Sequence, residues 1–230
     1  LAYRQLFLME QAHPDAAEES ITAAADKAAQ HFLKYLEKEP DDSAIIGLMT
    51  KVWLDSGQFE KALAYWEGRR AKEPDSSDVL GILASIYRQS GNWEKAVEYN
   101  LHQSEVQPTN DGKAKVIVDI AKIIWHQLAD RQKLVGAERV RVADMGLAAL
   151  QKAGALSDLH LETQVEIETY IMTMYTFRAM AHGATWAREA DNASSQYHRT
   201  QWSALREKLK AQQEAELKLA PAGGAEGSDG

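Results

Sequence analysis

The chain contains no cysteine. Disulfides, thiolate metal sites and cysteine nucleophiles are therefore excluded from the start. Long apolar runs are missing too: none reaches the roughly 18 residues that a membrane-crossing helix needs. The opening stretch LAYRQLFLMEQA is too broken by polar residues to be an export signal. An excess of positive charge is also absent. The 26 Lys and Arg against 34 Asp and Glu give a formal charge of -8, which disfavours a nucleic-acid partner unless the bases gather on one face. HExxH, GxSxG, a Gly-rich phosphate loop and a dinucleotide fingerprint are all lacking. No catalytic residue, cofactor or metal is expected.

What is present is a soluble composition and a repeat. With 230 residues and 45% hydrophobic content the chain can bury a sizeable core, as one domain or two small ones. Self-comparison gives a period of 34: Pro40, Pro74 and Pro108 stand 34 apart, Gly57 and Gly91 keep the same step, and so do Ala28, Ala62 and Ala96. Three residue types thus carry one register.

Each residue type has a physical reason to sit where it does. Ser43 and Ser77 are placed to offer a hydroxyl to the free amides of a first helical turn. Ile46, Met49 and Trp53 in one unit, and Leu80, Leu83 and Tyr87 in the next, have helical spacing for a packed face. Gly57 and Gly91 close those helices, because a left-handed C-terminal residue costs least as glycine. A second helix follows, opened by Phe59 or Trp93 and carrying small Ala62 or Ala96 where two helices must approach. The prolines end each unit.

These residues resemble the tetratricopeptide repeat family, whose unit is a 34-residue helix-turn-helix. The resemblance covers residues 43–110 as two complete repeats and extends upstream through Ala28, Phe32 and Pro40; Ile46 and Leu80 stand where the family's tryptophan is usual. It implies an all-α, right-handed solenoid of antiparallel helix pairs. The expected organisation is N-terminal helices and a degenerate repeat over 1–42, the two units over 43–110, and divergent helices over 111–182. A capping helix over 183–218 and a disordered tail over 219–230 complete it.

Within that frame, Tyr3, Leu6, Phe7 and Met9 predict a short helix ending at His13 and Pro14, followed by a long one near 15–38. Helices are expected over 111–130, 135–153, 158–182 and 185–218. In the last, Trp186, Ala190, Tyr197, Trp202, Leu205 and Leu209 are expected to face inward. Met172, Met174, Tyr175, Phe177, Met180 and Trp186 read as core or as an adaptable recognition surface.

In the family, the first helix of each repeat lines a groove for an extended peptide or a partner's helix. Carried over, the groove positions are Gly47, Lys51 and Leu54, then Gly81, Ser85 and Arg88, then Lys115, Asp119 and Lys122. Asp55, Asp78, Gln89 and His126 adjoin them. The third set has its own support, since Lys115, Asp119, Lys122 and His126 form one polar stripe on a helix that is otherwise apolar nearly all round. Gly47 and Gly81 either admit a ligand backbone or ease helix packing. The lysine and asparagine clamp by which some family members hold acidic chaperone tails is not matched: Gly47 and Gly81 replace the lysines, and Lys51 and Ser85 the asparagines.

The expected function is a protein-binding scaffold or adaptor, or an assembly or secretion chaperone holding one client. An alternative of another class is a hydrolase or ligand-binding site within 111–218. There, His160 with Glu162 is a weak pair, and Glu162 with Glu166 one turn on reads as a solvated face before an acid/base pair. The expected partner is a protein, peptide or helix, with no transmembrane segment; self-association stays open, though no residue supports it. The chain opens at Leu1, so a removed signal is admitted, and both cytoplasm and bacterial envelope stay open.

Overall fold

The computed structural model describes residues 2–13, 17–130 and 132–219, and among these every regular element is an α-helix. The chain divides into two compact units, Leu1–Val106 and Gln107–Gly230. Of the tail expected over 219–230, Leu219 instead closes the last helix; 220–230 and Pro14 lie outside the described residues, as do the side chains of Tyr3 and Leu6.

The first unit holds α1 (Ala2–Ala12), α2 (Glu18–Leu36), α3 (Ser43–Asp55), α4 (Phe59–Arg70), α5 (Ser77–Gln89) and α6 (Trp93–Glu105), each packed on the next. Ala28, Ala62 and Ala96 are completely buried, so the helices meet at the points where the repeat keeps a small side chain. Around those contacts Ile46, Met49, Trp53, Leu80, Leu83 and Ile86 fill the core. Phe7 of α1 joins the same core, while Met9 faces water.

Turns follow the expected glycines. Gly57 and Gly91 have φ of +72° and +85°, a backbone that side chains with a Cβ adopt at a cost. At each, the residue after the glycine bonds back five positions, Gln58 N to Trp53 O at 2.8 Å and Asn92 N to Tyr87 O at 2.9 Å. This pairing satisfies carbonyls that the helix leaves open. The N-caps lie one residue earlier than the serines predicted. Asp42 accepts from the amides of Ala44 and Ile45, and Ser76 from that of Val79, whereas Ser43 and Ser77 are already the first helical residues. The reason is geometric: the cap must keep an extended ψ, which Asp42 and Ser76 have.

The second unit holds α7 (Asn110–Ala129), α8 (Gly136–Gly154), α9 (Leu161–Ala181) and α10 (Thr185–Leu219). Helices α7, α8 and α9 pack mutually, and α10 lies on α9. Ile120, Ile124, Leu128, Val142, Leu147, Leu150, Ile171 and Met174 supply the buried apolar contacts. Gly146 lets Met174 and Ile124 close over α8, since a Cβ there would stand 3.1 Å from the Met174 sulfur. Arg139 is buried and donates to the carbonyls of Leu128 and Leu134, so a cation closes the C-terminal end of α7, where the helix dipole is negative.

The face that α10 turns inward differs from the one expected. Trp202, Leu205 and Leu209 are half-buried as predicted, but Trp186 is 75% exposed, Tyr197 61% exposed, and Ala190 also faces water. The inward positions are Asp191, Ser195 and His198. Each has a partner on α9: Arg178 holds Asp191 through two bonds of 2.9 and 2.6 Å, Ser195 donates to the Met172 carbonyl at 2.9 Å, and His198 meets Glu168 at 2.7 Å. Asp191 is 3% exposed and also contacts His182. A buried carboxylate is tolerated only with such partners, and they fix the rotation of α10 against its more hydrophobic alternative. Of the methionine and aromatic group, Met174 is core, Met172, Tyr175 and Phe177 are half-buried, and Met180 and Trp186 are exposed.

A second polar tie joins α7 to α9. The α9 N-cap residue His160 makes no side-chain cap bond, and Asp111 of α7 serves instead, accepting from the His160 amide at 2.9 Å and the Thr163 hydroxyl at 2.7 Å. Burial pushes the Asp111 pKa up, but Lys115 at 2.8 Å, together with those two donors, outweighs it and holds the carboxyl down at about 2. That lies below the usual unfolded value of about 3.9. The contribution is therefore fully present above the unfolded value and is lost as the pH falls through 4 towards about 2. Asp111→Asn is expected to cost on the order of 2 kcal/mol in urea unfolding at neutral pH. The same substitution should flatten the acid limb of stability below about pH 4.

Candidate functional site

The face of α3 opposite its core residues carries Gly47, Lys51, Leu54 and Asp55, spaced by four, three and one, as one helical side requires. On α5 the side turned toward the cleft carries Ile82, Ser85, Gln89 and the edge of buried Ile86. Between them, with Thr50 and Trp66 below, lies a cleft of about 360 Å³. It brings together six of the residues expected from sequence: Gly47, Lys51, Leu54, Asp55, Ser85 and Gln89.

The floor of this cleft is held by hydrogen bonds. Trp66 of α4 is buried and donates its indole N–H to the Thr50 hydroxyl at 2.9 Å, and Thr50 donates in turn to the Ile46 carbonyl at 2.8 Å. The ring edge is thereby fixed, and neither polar atom is left for a ligand. At the rim Lys51 meets Asp55 at 3.0 Å. With Lys51 59% exposed the pair is worth well under 1 kcal/mol, but it balances the local charge. Gln89 donates to the Ser85 hydroxyl at 3.2 Å. Gln11 of α1 bonds the Asp55 carbonyl at 3.1 Å, tying down the end of α3.

The two groove glycines separate. A Cβ at Gly47 would meet nothing within 4 Å, so that position opens onto the cleft. A Cβ at Gly81 would stand 2.6 Å from Gln103 Nε2, which crosses it to donate to the Ser77 carbonyl at 3.0 Å. Gly81 serves helix packing. Arg88 and Asp78 are exposed in the last and first turns of α5, where their charges suit the helix dipole, and neither lines the cleft.

Lys115, Asp119, Lys122 and His126 belong to the second unit. Lys115, Asp119 and His126 are exposed as the stripe predicted, and Lys122 is half-buried. The two lysines are not a free cationic patch. Lys115 pairs with Asp111, and its pKa is raised by that bond. Lys122 lies between Asp119 at 3.0 Å and Glu166 at 3.3 Å; burial lowers its pKa, but the two carboxylates outweigh it. His126 stands edge-on to Trp125. Glu166 thus serves an ion pair, and His160 faces Asp111 at 3.3 Å. Among the described residues no group of three His, Asp or Glu is arranged to hold a metal, and no helix is long and apolar enough to cross a membrane.

Sequence reasoning missed Thr50, Trp66, Ile82 and Ile86. A signal existed for two of them: Thr50 is the lone hydroxyl on the buried side of α3, and Trp66 is a ring whose N–H must find an acceptor. A larger groove of about 510 Å³ lies between α2 and α4, bridged by Arg69 to Asp41 at 3.2 Å and to Glu73 at 3.3 Å.

The glycine contrast gives a stability test. Gly47→Ala gains up to about 1 kcal/mol of helix propensity without a clash. Gly81→Ala gains the same but displaces Gln103, at a cost of about 1 kcal/mol for the lost bond. Thermal melting by circular dichroism should therefore rise by a few degrees for Gly47→Ala and stay level or fall for Gly81→Ala; the reverse order contradicts the assignment.

Searches for similarity found no family profile that matches this chain and no curated protein that matches it.

Proposed function

We propose that the chain is a protein-interaction module of the tetratricopeptide type, a scaffold or adaptor that holds a segment of a partner protein in the cleft between α3 and α5. On this reading α3–α4 and α5–α6 are successive repeats of a right-handed solenoid. The 34-residue register, the positive-φ glycines and the buried alanines support it. The observation that carries the functional part is the cleft itself, where an open glycine and half-buried Leu54 and Ile82 sit over a rigid, internally bonded floor. Such a surface suits contact, and its one acid and one base, Asp55 and Lys51, are spent on each other at the rim.

Filling the cleft tests the reading without harming the fold, because glutamine is a good helix former and the space above Gly47 is empty. Wild type and Gly47→Gln would be used as baits in native lysate, with mass spectrometry as readout and melting temperature as control. A partner held by wild type and lost by at least about tenfold, or about 1.4 kcal/mol, from the variant is expected. Equal capture by two baits of equal stability would remove the cleft as the docking site.

A further inference from the structure

Resting on the reading of the α3–α5 cleft as a docking site, we propose that its occupant is an uncharged peptide segment anchored by one large apolar side chain. The chain as a whole is acidic, with a formal charge of -8, yet the cleft lining carries one cation and one anion, Lys51 and Asp55, paired at 3.0 Å. An anionic segment reaching Lys51 meets Asp55 beside it, and a cationic segment reaching Asp55 meets Lys51. Neither sign finds an unopposed counter-charge, so charge complementarity selects a neutral ligand.

The remaining polar groups are satisfied in the same way. Trp66 is bonded to Thr50, and Thr50 to the Ile46 carbonyl. Ser85 and Gln89, at the mouth and bonded to each other at 3.2 Å, keep both donor and acceptor capacity. A hydroxyl and a carboxamide both donate and accept, as the amides of a peptide backbone require. What the cleft leaves unanswered is apolar area, on half-buried Leu54 and Ile82 above Ile86 and Trp66.

Size narrows the choice further. A cleft of about 360 Å³ is near the lower end of the range for ligand pockets, about 300–1,000 Å³. It accommodates one leucine- or phenylalanine-sized side chain with the backbone on either side. Gly47, with nothing within 4 Å of its missing Cβ, leaves room for that backbone to run against α3. Any side chain there would hold it off.

The test is selection from a phage-displayed library of random dodecapeptides on the wild-type chain, with counter-selection on Gly47→Gln. Affinity of the selected peptides is then measured by fluorescence anisotropy at low and high salt. The proposal expects enriched segments without net charge that share one Leu, Ile, Met or aromatic residue. Their dissociation constants should change by less than about twofold between about 50 and about 500 mM salt, where exposed charge pairs are screened. Replacing the shared residue with alanine should weaken binding by about tenfold or more. Enrichment of acidic or basic peptides that bind wild type but not Gly47→Gln would overturn the proposal and leave the cleft reading standing. Peptides that hold both proteins equally, or no enrichment at all, would overturn both.

Discussion

Close approach of paired helices is the constraint on which the first unit depends. Ala28, Ala62 and Ala96 are wholly buried, and the methyl group is what lets the helix axes come near enough for Met49, Trp53, Leu80, Leu83 and Ile86 to interdigitate. A larger residue would part the helices and open the core. The turns are subordinate to the same need: Gly57 and Gly91, at φ of +72° and +85°, bring the chain back in three residues so that the next helix can lie against the last. The cleft follows from this packing. With Ile46, Met49, Val52 and Trp53 turned to the core, Gly47, Lys51, Leu54 and Asp55 are left on the other side of α3, facing α5.

The second unit relies more on polar ties. Apolar contacts join α7, α8 and α9, but the rotation of α10 is decided by Arg178, Asp191, Ser195, His198 and Glu168. The start of α9 is fixed by Asp111. Paired buried charges add little net stability compared with apolar contacts of the same volume. They are specific, however, because Asp191, 3% exposed here, would be costly to bury without Arg178 and His182. Trp186 and Tyr197 are left in solvent as a consequence.

These two kinds of packing explain what could be read from the sequence. In the first unit the determinants are local and periodic. Pro40, Pro74, Gly57, Gly91 and the alanines mark helix boundaries and contacts, and the cap positions were missed by one residue because Asp42 and Ser43, or Ser76 and Ser77, can each cap in principle. In the second unit, periodicity placed the helices and the inward Trp202, Leu205 and Leu209, but misjudged the face of the first half of α10. Hydrophobicity favours Trp186 and Tyr197 inward, and nothing local reveals that Arg178, thirteen residues before Asp191, will claim that carboxylate. The cleft was half legible. Positions on α3 and α5 follow from helical spacing, while Trp66 enters from α4 and the distinction between Gly47 and Gly81 turns on Gln103, a contact between separate helices.

Site-specific photo-crosslinking puts the central claim to its most direct test. A benzophenone side chain would be placed at Ser85, in the mouth of the cleft, and in a separate protein at Tyr197, on the exposed face of α10. After irradiation in native extract, the adducts would be mapped to residues on both sides by mass spectrometry. The account predicts that Ser85 yields one reproducible adduct, located in an uncharged segment of a single partner protein, and that Gly47→Gln in the same chain abolishes it. Adducts to a defined partner from Tyr197, with none from Ser85, would contradict the account and move the interaction to α10.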